Sequence, residues 1–146
     1  MSSGQRRKVA LPAAAAGLLV KTDDFSVQVE APDDAMFWAR ALPSNSDEVV
    51  VTDLKRSNLS TERVAAAVEL AVERATLAPN VSRLRFLDIA PSKREQPASE
   101  ERARQEAAEI TEAMVLFGLA RSLRIEDVTL ERDRGKFHLE MRFQPE

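Results

Sequence analysis

Residues 48–63 read EVVVTDLKRSNLSTER, and the fold is decided by how this stretch is divided. Three consecutive valines lack the alternation of a half-exposed strand, as expected of a central strand covered on both faces. Asp53 ends the apolar run, a Lys-Arg pair follows, and Ser60-Thr61 opens a helix with Glu62 near its positive end. Val64, Ala67, Val68, Ala71 and Ala75 then share one apolar stripe at helical spacing, and Pro79-Asn80 stops it.

The same parts recur further on, in the same order. In VSRLRFLDIA, Leu84 and Phe86 fall on one face of a strand and Arg83 and Arg85 on the other, with Asp88 at its end. A second Lys-Arg pair, Lys93-Arg94, precedes Ser99, the cap of a long helix with Glu100 and Glu101 in its first turn. Ala103, Ala107, Ile110, Met114 and Phe117 lie on one face, and Gly118 is the expected breaker. Two capped helix starts need no common ancestor to look alike.

Towards the C-terminus, Phe137, Leu139, Met141 and Phe143 alternate with polar residues, and Asp133-Arg134-Gly135 supplies hairpin turn chemistry. On the preceding strand Leu123 and Ile125 are odd-numbered while Val128 and Leu130 are even, which predicts a bulge near Glu126-Asp127. Towards the N-terminus, Val27 and Val29 belong to a hairpin turning near Asp23-Asp24, and DDAMFWARAL reads as a short helix loaded with Met36, Phe37 and Trp38. The expected fold is an α/β (α+β) two-layer sandwich. Its core order is β-α-β-α-β-β, preceded by the N-terminal β-hairpin and the short helix. Right-handed crossovers make the first two core strands parallel and place both helices on one face. Residues 1–16 are expected to form a flexible arm and 17–146 a single domain.

Composition narrows the chemistry. The chain has 146 residues, a net charge of −3, no cysteine and one histidine. Thiol nucleophiles, thiolate metal sites and His-pair metal sites are therefore excluded, and no metal or cofactor is expected. The absence of cysteine fits a reducing cytoplasm. QRRK followed by VALPAAAAGLLV has only the outline of a targeting signal, because Pro12 interrupts its apolar stretch. No apolar run reaches transmembrane length.

Three groups of residues are candidates for function. Ligands of open α/β sheets sit beyond the carboxyl ends of parallel strands, where Asp53, Lys55, Arg56, Asp88, Lys93 and Arg94 would gather. Against this, aspartate at a strand end ordinarily turns the chain, and neither loop has the glycines of a close phosphate cradle. Arg83, Arg85, Arg124 and Arg142 would share the outer sheet face with His138, a surface able to follow a nucleic-acid backbone, interrupted by Glu126 and Glu140. His138 itself reads as exposed and without a task, and Trp38 as core. Finally, AMVLFGLA is apolar all round. Met114, Val115, Leu116, Phe117 and Leu119 exceed what one helix face buries and are expected to meet a partner, most simply a second copy.

The strand-helix-strand-helix-strand-strand order of the second half resembles the archaeal chromatin protein Alba and the C-terminal domain of bacterial translation initiation factor 3. It also partly resembles the later half of the GNAT acetyltransferases. The first two resemblances imply nucleic-acid binding. The third implies acyl-group chemistry with a glycine-containing pyrophosphate loop, where this chain has APSKREQPAS. The residues themselves point first to a small non-catalytic interaction module in the cytoplasm, self-associating or bound to a protein partner and away from membranes. The alternatives are an RNA-binding module using the arginine face, and a ligand-binding or acyltransferase-like domain with its site at the strand ends.

Overall fold

The computed structural model describes residues 13–23, 26–31, 38–43, 47–56, 59–75 and 81–146. Among them lie one seven-stranded sheet and two long helices, a mixed α+β fold. In chain order these are β1 (Leu19–Thr22), β2 (Val27–Glu30), β3 (Trp38–Pro43), β4 (Glu48–Lys55), α1 (Thr61–Ala75), β5 (Arg83–Phe86), α2 (Glu100–Ala120), β6 (Leu123–Asp133) and β7 (Lys136–Pro145). Across the sheet the order is β1-β2-β3-β4-β5-β7-β6. Only the β4–β5 pair is parallel.

One face of the sheet is largely apolar. Val29, Ala39, Val49, Val51, Leu84, Phe86, Leu139 and Met141 are essentially inaccessible to solvent and share a single core with the helices. Burying side chains of the leucine and phenylalanine kind stabilises by roughly 1.5–3 kcal/mol each. Helix α1 buries more than the predicted stripe, because Ala65, Ala66 and Val72 are covered as well. It packs on β2 and β3 with one side and on α2 with another, and its alanines permit the close approach. Helix α2 continues over β6 and β7, burying the whole predicted face from Ala103 to Phe117. Phe117 meets Phe143 edge to face at 5.5 Å.

Both helix starts are capped as their sequences imply. Ser60 Oγ accepts from the Arg63 N–H at 3.2 Å and Ser99 Oγ from the Arg102 N–H at 3.2 Å. The β6–β7 turn has positive φ at Arg134 and Gly135 (53° and 79°), the arrangement of a two-residue type I′ hairpin. The register of β6 slips between Ile125 and Asp127, where parity required a bulge.

Two expectations need correction. The short helix is not formed over its second half: Trp38–Pro43 is strand β3, hydrogen-bonded to β2 on one side and β4 on the other. Alanine favours helices in isolation, but here Ala39 and Ala41 alternate with Trp38, Arg40 and Leu42, and pairing on both edges outweighs local preference. The first half of that helix, residues 32–37, lies outside the described residues, as do residues 1–12 of the expected arm, Asp24 of the first hairpin and the stop at 79–80. Gly118 does not break α2, which runs on to Ala120 before Ser122 turns left-handed at φ 59°. Gly118 is instead a contact point, since a Cβ there would lie 2.8 Å from the Leu123 carbonyl oxygen.

Candidate ligand-binding cleft

The parallel strands are fastened at one end and separate at the other. At their amino ends the Asp47 carbonyl accepts from the Ser82 and Arg83 N–H groups at 2.8 and 3.0 Å, and Ser82 Oγ donates to Asp47 Oδ2 at 2.9 Å. Their register ends at Val51–Phe86, followed by a Leu87 N–H to Val51 carbonyl bond of 2.9 Å. Beyond it β4 continues to Lys55, pairing only with β3.

Each strand end carries a left-handed aspartate. Asp53 has φ 56° and Asp88 φ 51°, a region that aspartate tolerates better than most residues because its short polar side chain bonds locally. Each aspartate inserts one extra residue. Asp53 and Leu54 stand against Ala39 alone, because Thr52 pairs with Arg40 and Lys55 with Trp38. Leu87 and Asp88 stand against His138 alone, because Phe86 pairs with Leu139 and the Ile89 N–H reaches the Phe137 carbonyl at 3.0 Å. An inserted residue reverses the alternation of a strand. Before the insertions Val49, Val51, Leu84 and Phe86 face the helices; after them Ile89 is buried and Leu54 half-buried. The aspartates thus act through the backbone, turning the following side chains inward.

His138 completes the second insertion. Its Nδ1 accepts the Asp88 N–H at 3.0 Å, a donor with no ladder partner at the bulge. The ring is half-buried rather than exposed and carries out structural work.

Between the separated strands and the start of α2 is a pocket of about 360 Å³. Leu54, Ile89 and Pro91 form its apolar part. Lys55, Arg56, Lys93 and Arg102 are its basic lining residues, against one carboxylate, Glu106, with the Lys55 ammonium on the side of the Trp38 ring. Three of the six residues expected at the strand ends therefore meet here, whereas Asp53, Asp88 and Arg94 do not line the pocket.

Two of the four cations are structural ties. Arg56 bridges β4 to α2, with Nη1 donating to Glu109 Oε1 at 2.8 Å and Nη2 paired with Glu106. Burial opposes its charge, but the carboxylates of Glu109 and Glu106 outweigh that and raise its pKa above the ordinary value. Arg102 stitches the loop before α2 to the first helical turn, donating to the carbonyls of Gln96 and Pro97 at 3.0 Å and of Pro91 at 3.2 Å. Among the described residues Arg102, Lys55 and Lys93 make no ion pair. Lys55 lies 5.8 Å from the Trp38 ring centre, and Arg40 lies 5.5 Å from it on the same side chain. Trp38 is half-buried on the sheet face turned from the helices, outside the core expected for it.

Arg102, Glu106 and Glu109 were not singled out from sequence. Their charges look like an ordinary solvated helix face, and the contact of Glu106 and Glu109 with Arg56 spans about fifty positions of chain.

The arginines of the outer sheet face are interleaved with acids. Arg83 stands opposite Arg142, Arg85 opposite Glu140, and Arg85 also pairs with Glu131 at 3.7 Å. Arg124 is exposed beside the bulge. Of the apolar end of α2, Met114 and Phe117 are buried within the chain's own core, Leu116 and Leu119 are half-buried, and Val115 is 46% exposed. Among the described residues no group of three or more His, Asp or Glu side chains is placed to hold a metal ion, and no helix is long and apolar enough to cross a membrane. Compared with protein-family models, curated proteins and solved structures, the chain matches none.

Proposed function

We propose that this chain is a two-layer α/β sandwich that binds a small molecule in the cleft where β4 and β5 part. The run of elements from β4 onward supports a sandwich core of order β-α-β-α-β-β. The observation that carries the proposal is the pocket itself. It lies beyond the carboxyl ends of the two parallel strands, and its size falls within the range of small-molecule sites. Both flanking aspartates are committed to bulges and the single histidine to the Asp88 N–H, so the reading is one of binding without catalysis. The acyltransferase-like variant of this reading takes support from the separated parallel strands, though neither loop offers a glycine cradle. A cytoplasmic setting fits a chain without cysteine.

The test is a thermal-shift screen of small molecules on the native chain and on Leu54→Trp, which fills the cleft from its apolar side. Compounds that stabilise the native chain should leave the filled variant unmoved. A screen without hits, or hits that stabilise both proteins equally, would remove the proposal.

A protein-interaction role is the second reading, favoured by exposed Val115 beside half-buried Leu116 and Leu119. Sedimentation of the native chain and of Val115→Lys at tens of micromolar decides it. A dimer abolished by the lysine supports it, and a native monomer ends it.

A further inference from the structure

We infer that the ligand of this cleft carries a dianionic head, of the phosphate monoester class, on an apolar body, and that Lys55 and Lys93 select it. The inference rests on the small-molecule reading above. Its starting point is how the four cations of the pocket are employed. Arg56 is matched by two carboxylates, so its charge is already answered inside the protein. Arg102 spends three hydrogen bonds on main-chain carbonyls, which fix the loop that carries Lys93 but supply no opposing charge. Lys55 lies 5.8 Å from the Trp38 ring centre, and neither Lys55 nor Lys93 makes an ion pair or a side-chain hydrogen bond among the described residues. Three basic residues thus border one partly enclosed space without an anion of their own, and the two lysines are exposed and able to turn toward it.

Gathering like charges adds no stability of its own to a folded chain, so the cluster is better suited to an outside partner than to the fold. An anion entering the pocket would supply the missing opposite charge. A phosphate monoester brings between one and two negative charges and three acceptor oxygens, which suits several donors better than a single carboxylate does. The neutral part of the ligand has its own surface, since Leu54, Ile89 and Pro91 form the apolar side of the same pocket. The two lysines come from different strand ends, Lys55 from β4 and Lys93 from the loop after β5. A ligand bridging them would span the gap between the two strand ends.

The experiment titrates the full chain with hexyl phosphate, hexanoate and hexanol, following the backbone amide signals of Leu54 and Ile89. Hexyl phosphate should bind at least about tenfold more tightly than hexanol, as expected from one additional charged hydrogen bond. It should also bind more tightly than hexanoate, and weaken as salt is raised. In Lys55→Gln/Lys93→Gln the phosphate should fall to the level of the alcohol while hexanol binding is unchanged. Lys55→Arg/Lys93→Arg should retain the preference. Unchanged hexanol binding in the glutamine variant also shows that its cleft is intact. Equal binding of hexyl phosphate and hexanol would overturn the inference while leaving a small-molecule cleft in place. Equal binding of hexanoate and hexyl phosphate would overturn the dianion assignment. If none of the three probes moves the cleft amides, the small-molecule reading fails and this inference fails with it.

Discussion

Replacing Asp53 or Asp88 separates a backbone role from a chemical one. Both residues hold φ near +50°, where a β-branched side chain is strained by about 1–2 kcal/mol relative to a residue that tolerates the region. Asp53→Val and Asp88→Val should each destabilise by that amount. For a chain of this length that lowers Tm by roughly 3–8 °C. Glycine reverses the argument. It removes the left-handed strain but gives back about 0.4–1 kcal/mol through the larger freedom of the unfolded chain, so Asp53→Gly and Asp88→Gly should stay within about 0.5 kcal/mol of the native protein. Asparagine, which also enters this region readily, should behave like aspartate. Denaturant titration of the six variants reads the series directly, and an unchanged slope shows that compactness is unaffected. A glycine variant as unstable as the valine variant would refute the left-handed assignment. Ligand binding lost in the asparagine variants at unchanged stability would show that the carboxylates themselves take part.

Three further outcomes follow from named contacts. Gly118→Ala places a Cβ 2.8 Å from the Leu123 carbonyl oxygen and 3.4 Å from the Phe143 ring. The overpacking cost of about 1–3 kcal/mol should exceed the gain of roughly 1 kcal/mol in helix propensity, so thermal unfolding should show net destabilisation. Burial pushes the Glu69 carboxyl above its usual range, and the paired Arg121 guanidinium offsets this only in part. A carboxyl raised on folding favours the folded state while protonated, and that benefit fades as pH climbs through the folded value. Arg121→Met should therefore destabilise by about 1–3 kcal/mol at neutral pH and by less in acid, while Glu69→Gln should be close to neutral, both read by denaturation at several pH values. Arg56→Met removes the tie from β4 to Glu106 and Glu109 and should cost about 1–2 kcal/mol, with faster amide exchange at residues 54–56 as the local readout.

Much of the fold is written in local pattern, because a period of two or 3.6 and a capping serine act over a few residues. The valines of β4, the alternation of β7, the caps Ser60 and Ser99 and the parity slip in β6 are of this kind. Strand β3 was hidden because Ala39 and Ala41 become strand residues only through neighbours on both edges. Gly118 gives the same lesson: a glycine near a helix end suggests a stop, and only the Leu123 carbonyl above it reveals a contact. At the candidate site the sequence located the strand ends and Lys55, Arg56 and Lys93. It pointed to Asp53 and Asp88 as residues that turn the chain, but not to the residue each inserts into its strand, nor to His138 holding the Asp88 N–H from fifty residues away. Long-range partners of single polar groups leave no periodic trace.

The most direct test is an anomalous diffraction experiment on crystals soaked in tungstate, a heavy dianion that mimics a phosphate head. A tungsten peak flanked by Lys55 and Lys93, with β4 and β5 unpaired beyond Leu87, is the predicted result. A β4–β5 ladder that runs on to Lys55 and closes the cleft, or an open cleft that stays free of tungsten while other cationic surfaces take it up, would contradict the account.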